Sequence, residues 1–259
     1  FSKRKSIIEN ATGTKIIVAP EKTVDIANDK WLTAEFLRKN NLPYAESYLP
    51  RDLNDAIQCC KSWGFPVILK SRCGTSSKNV HLILNNESLK RYYEGTPLPM
   101  LQRAIEMPSS ELDSEYTCSI FKTSDAKIIG PFTARRTVRG GTSWHIEVSR
   151  YKKLHKSLLA IAKSLDFIGS LNIQLMLSVK GPIPFEINAR FSGTTAVRAH
   201  FGFNEPAMAL KSFFYKEVIQ SPVVTEGLAL RYHEEVFIDN INSKKIIPGV
   251  HKGSVIQWF

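Results

Sequence analysis

Hydrophobic residues recur along the chain with two periods, one typical of strands and the other of helices. Residues 114–121 alternate between polar and apolar side chains, which predicts a half-buried β-strand. Residues 65–70 form a short apolar run that ends in a lysine, which predicts an interior strand. Between residues 151 and 165 the apolar side chains return at helical spacing, which predicts an amphipathic helix. The pattern therefore predicts a protein of mixed strands and helices, and no internal repeat divides it.

A strand predicted at residues 184–190 places its polar residues on one face. Because side chains alternate along a strand, Glu186, Asn188 and Arg190 share a side. The residues between them are apolar and predict a core-facing side: Phe185, Ile187 and Ala189. Carboxylate and amide oxygens suit a hard cation such as Mg²⁺, and a guanidinium beside that cation can hold phosphate oxygens.

A second predicted strand, residues 169–177, precedes the first, and residues 180–182 have the composition of a turn. If the two strands pair as a hairpin, Gln174 approaches Glu186 and contributes another amide oxygen. Together with Asn188, these residues would then surround a metal–phosphate cluster. An edge hairpin with a solvated polar face fits the same spacing, so the residues alone leave both interpretations open.

The strand that ends at Lys70 runs into a loop of small polar residues, 71–78, which includes Ser76 and Ser77. A returning strand is predicted directly after it, at residues 80–84. Backbone N–H groups and hydroxyls in such a loop can donate to phosphate oxygens. The loop is not a P-loop, because the glycine-lysine-serine pattern and the following helix are missing. A plain surface hairpin is the alternative.

Three arginines stand close together before and beside a glycine pair: Arg135, Arg136 and Arg139 precede Gly140 and Gly141. Guanidinium groups beside a turn offer several fork-shaped donors, which suit a substrate carboxylate. A solvated loop has the same composition, so this segment is a weaker candidate than the polar strand.

The bulk composition is that of an ordinary globular protein. The hydrophobic content is 43% and the charged content 23%, and 259 residues suffice for one large or two small domains. The net charge of +11 suits polyanionic partners, but no basic run concentrates it. A nucleotide is therefore a better prediction than a nucleic acid.

The cysteines match no zinc or disulfide framework, and two of them, Cys59 and Cys60, are adjacent. Reduced thiols in a cytoplasmic protein are the simplest interpretation. The sequence shows no signal peptide and no long apolar run, so we expect no membrane partner.

Several of these segments occur in an order that resembles the ATP-grasp superfamily, and in particular its carbamoyl-phosphate-synthase type of domain. Residues 65–70 resemble the superfamily's strand with a basic phosphate ligand. Residues 185–190 resemble its metal-binding strand, with Gln174 as a further ligand. Residues 26–30 resemble the entry to its first helix, which puts Lys30 at a basic nucleotide contact. The likeness covers about residues 20–240.

The resemblance implies an α+β ATP-grasp fold of two lobes with nucleotide between them. The small lid lobe would span about residues 45–105 and the large lobe about 106–240, within a domain of residues 21–259. Residues 1–20, including a short strand expected at 15–20, would be the remnant of a preceding α/β domain. A partner that supplies this missing N-terminal domain, or a second copy in a homodimer, would then be expected.

The resemblance also implies roles for individual residues. Lys30 and Lys70 would neutralise phosphate charge, and Ser76 and Ser77 would cover the triphosphate. The remaining roles fall to residues of the hinge and the large sheet: backbone groups of Arg103 and Ile105 for adenine, Glu115 for ribose, Gln174, Glu186 and Asn188 for Mg²⁺ or Mn²⁺, and Arg190 for the transferring phosphoryl group.

The implied activity is that of an ATP-dependent ligase. A small carboxylate would attack the γ-phosphate of ATP, and an amine or similar nucleophile would attack the resulting acyl phosphate. The alternative is a non-catalytic ATP-binding or regulatory part of a larger carbamoyl-phosphate-synthase-like enzyme. The sequence departs from the family at Gln102 and Arg103, where relatives often carry acidic residues.

Overall fold

The computed structural model describes residues 1–74, 79–106 and 115–232, together with the backbone of residues 235–239 and 254–256. The α-helices are α1 (Lys5–Thr12), α2 (Glu21–Asn28), α3 (Lys30–Lys39), α4 (Leu53–Trp63), α5 (Asn86–Tyr93), α6 (Lys152–Ser164), α7 (Thr195–His200) and α8 (Glu205–Ala209). The strands are β1 (Ser47–Tyr48), β2 (Val67–Ser71), β3 (Val80–Ile83), β4 (Pro99–Arg103), β5 (Glu115–Lys122), β6 (Ile128–Arg139), β7 (Thr142–Val148), β8 (Gly169–Ser178), β9 (Gly181–Asn188), β10 (Gly227–Arg231), β11 (Glu235–Asp239) and β12 (Ser254–Ile256). A 3₁₀ turn precedes α1 and a π-helical turn follows α8.

The strands form two antiparallel sheets. The four-stranded sheet has the order β1-β4-β2-β3, and the eight-stranded sheet has the order β12-β11-β10-β7-β6-β5-β8-β9. Every described pairing is antiparallel, both within the hairpins and between strands that are distant in the chain. With the helices packed on them, the two sheets give an α+β arrangement, which confirms the predicted fold class.

Helix ends follow the capping residues in the sequence. The Asp29 carboxylate accepts from the backbone N–H groups of Trp31 and Leu32, so α3 begins at Lys30. Asp52 caps α4 in the same way, and Gly64 ends that helix with a φ of +78°. Helix starts that are fixed by their own caps do not depend on distant contacts, which is why they are readable from the sequence.

The four-stranded sheet buries one face of β2 and β4 against α4 and α5. Val67, Leu69 and Leu101 pack there with Cys60 and Leu89, all at 0% exposure. Because side chains alternate along a strand, the residues between them point away from this core. That second face of β2 and β4 is therefore left to face the large sheet.

The eight-stranded sheet packs one face of β5 and β8 against α6. The apolar residues of this face belong to one core: Tyr116, Cys118, Ile120, Leu171, Ile173 and Leu175. The residues between them are polar yet buried, and they face α7 and α8: Thr117, Ser119, Ser170 and Asn172. On β5 and β8 the large sheet thus carries a run of polar side chains, and the candidate site lies along these strands.

Two sequence predictions are corrected by the fold. Residues 15–20 form no strand; instead, the backbone N–H of Ile16 donates to the Glu9 carboxylate at 2.8 Å. A short apolar run without a neighbouring strand has nowhere to pair. The strand expected to end at Arg136 is longer: β6 continues to Arg139 and turns only at residues 140–141, so the arginine segment is not a loop.

None of the helices in the described ranges has both the length and the apolar character needed to cross a membrane.

Candidate active site

A cavity of about 590 Å³ lies between the two sheets. Lys70 and Gln102 line it from the small sheet, and Gln174 and Glu186 line it from the large sheet. Among the described lining residues six are basic and two are acidic: Lys30, Lys70, Arg103, Arg136, Arg190 and Arg231, against Glu115 and Glu186. This excess of positive charge favours an anionic ligand.

The cavity also has apolar walls. Val80 and Leu82 stand on one face of β3, 44% and 55% exposed, although both are large apolar residues. Ile105, Met176 and Phe185 add apolar surface from the segment after β4 and from the large sheet. A ligand with both an apolar part and an anionic part would therefore match the cavity lining.

Lys70 is buried on the side of β2 that lines the cavity, with 4% of its surface exposed. Its Nζ donates to Gln102 Oε1 at 2.9 Å, and Gln102 Nε2 donates to Ser47 Oγ at 3.0 Å. Burial, together with the nearby charge of Lys30 and against the opposing effect of Glu186, lowers the pKa of Lys70 to about 7. Among the described residues no carboxylate forms an ion pair with this amine, so a ligand can supply the negative charge.

Lys30 begins α3, and its Nζ donates to the carbonyl of Gly74 at 3.1 Å. Asp29, the cap of that helix, forms an ion pair with Arg72, which raises the pKa of the arginine. The backbone N–H of Lys30 donates to the carbonyl of Arg72 at 3.0 Å. The start of α3 and the segment that follows β2 are therefore fixed to each other beside the cavity.

Arg103 and Ile105 line the cavity where the chain leaves the small sheet. The Arg103 guanidinium lies 5.4 Å from the centre of the Trp63 ring and 3.4 Å from Glu46 Oε2. Its backbone N–H donates to the carbonyl of Glu46 at 2.8 Å. The Arg103 side chain and its backbone N–H are therefore both engaged by residues of the small sheet and its neighbours.

Arg136 links three side chains on the polar face of the large sheet. Its Nε and Nη2 donate to Glu115 Oε1 at 3.0 and 2.5 Å, and Nη2 also donates to Gln174 Oε1 at 2.9 Å. Nη1 donates to Ser143 Oγ at 2.9 Å. The Gln174 oxygen, expected at a metal, is therefore occupied by Arg136, and so is one oxygen of Glu115.

The hairpin of β8 and β9 pairs Gln174 with Glu186 and Asn172 with Asn188, which confirms the predicted pairing. Glu186 Oε1 accepts from Asn188 Nδ2 at 2.9 Å and from Gln174 Nε2 at 3.5 Å. Arg190 Nη2 donates to Asn188 Oδ1 at 3.0 Å. The polar residues of the two strands are thus brought together at the cavity.

The register of this hairpin shifts between Gln174 and Leu175, so that Phe185 has no direct partner on β8. Phe185 is half-buried and lines the cavity together with Glu186, its neighbour in the chain. Placing Phe185 in the core was therefore wrong, because a bulge interrupts the alternation on which that prediction depended.

The possible metal ligands around Glu186 fit a cation that is held mainly by one carboxylate. Glu186 Oε2 takes part in no hydrogen bond with the described residues, so it is available to a metal. Asn188 and Gln174 contact Glu186 through their nitrogens, and their oxygens accept from arginines. No group of three or more His, Cys, Asp or Glu side chains in the described part of the chain is placed to hold a metal. Mg²⁺ is commonly held by one or two carboxylates together with substrate phosphates, and this donor set matches that pattern.

Of the three arginines near the glycine pair, only Arg136 lines this cavity. Arg135 pairs with Glu147, Nη2 to Oε2 at 2.6 Å, and Arg139 is exposed. Since neighbouring side chains on a strand point to opposite faces, Arg135 and Arg136 cannot both face the cleft. Ser76 and Ser77 lie outside the described residues.

Among the cavity residues that the sequence interpretation did not assign to a site are Asn172 and Arg231. Asn172 stands two positions before Gln174 on the same face of β8, a signal that was present in the sequence. Arg231 enters from β10, and its Nη2 donates to the carbonyl of Gly193 at 3.2 Å. Nothing in the local sequence around Arg231 indicates this approach, because it depends on the order of strands in the sheet.

Two family models match the chain in succession. Residues 27–113 match the RimK-like ATP-grasp domain, and residues 111–236 match the ATP-grasp in the biosynthetic pathway with Ter operon. Together with the two-sheet fold, these matches show that the chain belongs to the ATP-grasp superfamily, with a domain of the carbamoyl-phosphate-synthase type.

Among curated proteins, the chain is similar to carbamoyl phosphate synthase large chains. The protein of Clostridium acetobutylicum is 23% identical over 202 residues, and that of Helicobacter pylori strain J99 is 23% identical over 191 residues. These regions are 71% and 69% of the present chain but only 18% of each relative. The chain therefore spans a small part of the length of these relatives.

Solved structures share the fold at low sequence identity. An N5-carboxyaminoimidazole synthase of Aspergillus clavatus, in complex with ADP and 5-aminoimidazole ribonucleotide, has a TM-score of 0.71 at 13% identity, over 87% of this chain and 62% of that one. The biotin carboxylase domain of the Hydrogenobacter thermophilus 2-oxoglutarate carboxylase, with MgADP, ADP and bicarbonate, has a TM-score of 0.74 at 16% identity, over 100% of this chain and 65% of that one.

Proposed function

We propose that the chain is an ATP-dependent ligase domain that activates a small carboxylate as an acyl phosphate for attack by an amine or similar nucleophile. The observation that carries this proposal is the position of Lys70 and Glu186 on opposite walls of one cleft. A buried cation on one wall suits phosphate oxygens, and a carboxylate with an unengaged oxygen on the other suits their metal. The membership of the ATP-grasp superfamily supports the same activity.

The nucleotide would lie between the sheets. Lys30 and Lys70 would neutralise phosphate charge, and Ser76 and Ser77 would cover the triphosphate. The exposed faces of Val80 and Leu82 offer apolar contact to a base, with backbone groups of Arg103 and Ile105 to read its edge. Glu115 keeps Oε2 free of described hydrogen bonds, so it can accept from a ribose hydroxyl.

Glu186 would hold the metal, with Asn188 and Gln174 beside it. Mg²⁺, or Mn²⁺ in its place, would neutralise the phosphate oxygens when bound. Glu186 is the one acidic residue among the described cavity residues of β8 and β9, so the protein's charge contribution to that ion falls on it. Gln174 and Asn188 hold the Glu186 carboxylate in place through Oε1.

In the reaction, a substrate carboxylate oxygen would form a bond to the γ-phosphorus as the bond to the ADP oxygen breaks. Arg190 lies at the end of β9, with one arm on Asn188, and would stabilise the charge on the transferring phosphoryl group. The nucleophile then replaces phosphate at the acyl carbon. No protein nucleophile is required in this sequence of steps, so the protein acts by positioning and charge.

Arg136 is the best candidate to bind the substrate carboxylate. A guanidinium has five N–H donors, and the hydrogen bonds to Glu115, Gln174 and Ser143 engage four of them. The fifth donor takes part in no hydrogen bond with the described residues, and the partners of the other four hold the guanidinium rigidly at the cavity wall. A rigid donor loses little conformational entropy when a carboxylate binds to it, which favours binding.

A second candidate is a non-catalytic or regulatory ATP-binding part of a larger enzyme like carbamoyl phosphate synthase. It is favoured by one observation: the chain matches only 18% of the large chains to which it is similar. In that case residues 1–20 would belong to a preceding domain, with the lid lobe at about 45–105 and the large lobe at about 106–240. A partner domain or a second copy would then complete the enzyme.

Two measurements test these alternatives. Calorimetric titration with a non-hydrolysable ATP analogue should show binding that strengthens with Mg²⁺, and an absence of heat at millimolar nucleotide with folded protein would refute both. A screen for ADP release against amino acids and small carboxylates then separates them. Release with one carboxylate supports the ligase, whereas binding without release from any carboxylate supports the non-catalytic part.

A further inference from the structure

A fully buried ion pair lies between helices α7 and α8 and the polar side chains of β5 and β8. Arg198, in the last turn of α7, has its Nη1 3.1 Å from Oε2 of Glu205, the first residue of α8, and both side chains are 0% exposed. Glu205 Oε1 also accepts from the hydroxyls of Ser119 and Ser170. The pair therefore joins the two helices after β9 to the strands that carry the cavity residues.

The second arm of Arg198 reaches Asn172. Arg198 Nη2 donates to Asn172 Oδ1 at 2.5 Å and to Thr117 Oγ1 at 3.1 Å, and Thr117 Oγ1 in turn donates to Asn172 Oδ1 at 3.0 Å. Two donors from the protein interior thus hold the amide oxygen. An asparagine amide has its NH₂ opposite that oxygen. Asn172 lines the cavity, and its Nδ2 bonds to none of the described residues, so this NH₂ is the group left for a ligand.

Stability alone does not account for the pair. The Arg198 Nε is buried and has no partner among the described residues, which is costly for a charged group. Buried ion pairs can often be replaced by apolar side chains of similar volume without loss of stability. Arg198 also donates through Nη2 to a cavity residue, Asn172. The orientation of the Asn172 amide is therefore a better explanation of this buried arginine than stability.

We propose that Arg198, itself held by Glu205, is a positioning residue that fixes the Asn172 amide with its NH₂ toward the cleft, as a donor to an anionic oxygen of the reacting groups. The identity of that oxygen rests on the proposed function, whereas the orientation of the amide does not. An NH₂ group cannot ligate a cation. Asn172 would therefore donate to the anion, while Glu186 would bind the metal.

The first experiment measures the order of the amide without any ligand. The Arg198→Met/Glu205→Gln double variant removes both charges together, so no buried charge is left unpaired. The Asn172 side-chain NH₂ signal is assigned by its loss in Asn172→Ala, and its ¹⁵N order parameter is measured in each protein. We expect a value near that of rigid backbone, about 0.85, in the parent and one below about 0.6 in the double variant. An unchanged order parameter would overturn the proposal.

Two further variants control this measurement. Arg198→Lys keeps a cation for Glu205 but loses the forked arm, so it should loosen the amide even if the double variant does not fold. Arg135→Met/Glu147→Gln removes another Arg–Glu pair of the large sheet, which does not contact Asn172. This control should leave the Asn172 order parameter unchanged. Loosening of equal size in the control would mean a general effect of lost ion pairs and would also overturn the proposal.

The second experiment asks whether Arg198 acts through Asn172 in the reaction. With the carboxylate found in the ADP-release screen, Asn172→Ala should lower kcat by about 10²-fold, as for loss of a transition-state donor. The Arg198/Glu205 double variant should lower kcat by about tenfold in the parent and by much less in the Asn172→Ala background. Independent losses that multiply would overturn the proposal. If no carboxylate gives ADP release in the parent, the ligase proposal fails, and the order parameter alone decides the positioning role.

Discussion

Burial, with a further contribution from Lys30 and an opposing one from Glu186, lowers the pKa of Lys70 to about 7. The unfolded chain has an ordinary lysine pKa near 10.5, so between these two values it binds more protons than the folded protein. The contribution of Lys70 to the free energy of unfolding therefore rises with pH through this window. Below about pH 7 the ammonium form must be buried, and the full penalty applies.

Nucleotide binding should raise the pKa of Lys70 again, because the phosphates supply negative charge beside it. At pH 8, we expect binding of the Mg²⁺–ATP analogue to take up a proton, because phosphate oxygens stabilise the charged form of Lys70. Calorimetry in two buffers of different ionisation enthalpy measures this uptake. Lys70→Met should bind at least about tenfold more weakly, as expected for loss of a charged hydrogen bond, and without proton uptake.

Gln102→Glu provides the matched test of this charge argument. A carboxylate within hydrogen-bond distance would keep Lys70 protonated in the free protein, so binding should no longer take up a proton. Equal proton uptake in the parent and in Gln102→Glu would contradict the assignment of this proton to Lys70.

Glu186 has one oxygen available to a metal, so its charge can be tested alone. Glu186→Gln preserves the size of the side chain, and we expect the fold to persist while the Mg²⁺-dependent part of nucleotide binding is lost. Thermal unfolding with the ATP analogue, with and without Mg²⁺, measures this. Glu87→Gln alters an exposed carboxylate on α5 and should behave as the parent. A Glu186→Gln protein with the parent's Mg²⁺-dependent shift would remove Glu186 from the metal site.

At the scale of the element, the β8–β9 hairpin shows what the sequence can and cannot predict. The pairing of Gln174 with Glu186 was predictable, because period-two alternation and a turn signal fix which residues face one another. The bulge after Gln174 was not, since nothing in the residues distinguishes a regular strand from one with an extra residue. A single unpaired residue moved Phe185 from the core to the cavity wall.

The bulge predicts different outcomes for two neighbouring apolar residues. Ile187 is 0% exposed, so Ile187→Ala should lower the free energy of unfolding by about 2–5 kcal/mol. Phe185→Ala should cost less stability but weaken nucleotide binding several-fold. Urea denaturation and calorimetry measure the two quantities. If Phe185→Ala is the more destabilising of the two, Phe185 belongs to the core after all.

The β6–β7 hairpin gives a similar contrast among arginines. Arg136→Ala should raise the KM for the carboxylate and leave the Kd for nucleotide within a few-fold, because we propose that its remaining donor binds the carboxylate. Arg139→Ala is the matched control, since Arg139 is exposed on the same strand and does not line the cavity. Steady-state kinetics on both variants distinguishes them, and equal KM values would exclude Arg136 from substrate binding.

At the scale of the whole molecule, the site belongs to neither sheet alone. The order of polar segments along the chain resembles that of the ATP-grasp superfamily, and this resemblance predicted the α+β fold. Contacts that depend on strand order were not predictable: Arg231 reaches the cavity from β10, and Arg198 reaches Asn172 from beyond β9. Both require knowledge of which strands lie side by side in the large sheet.

The excess of basic over acidic residues along the cleft should also appear in time-resolved measurements. Long-range attraction raises the association rate constant of an anion and is screened by salt, whereas short-range contacts set the dissociation rate. Raising the ionic strength from 0.01 to 0.15 M shortens the screening length from about 30 to about 8 Å. Stopped-flow mixing with a fluorescent ATP analogue should therefore show a slower association at the higher ionic strength and a nearly constant dissociation rate. The protein would thus draw nucleotide in from beyond the reach of any single side chain, and sulfate or inorganic phosphate would compete for the same approach.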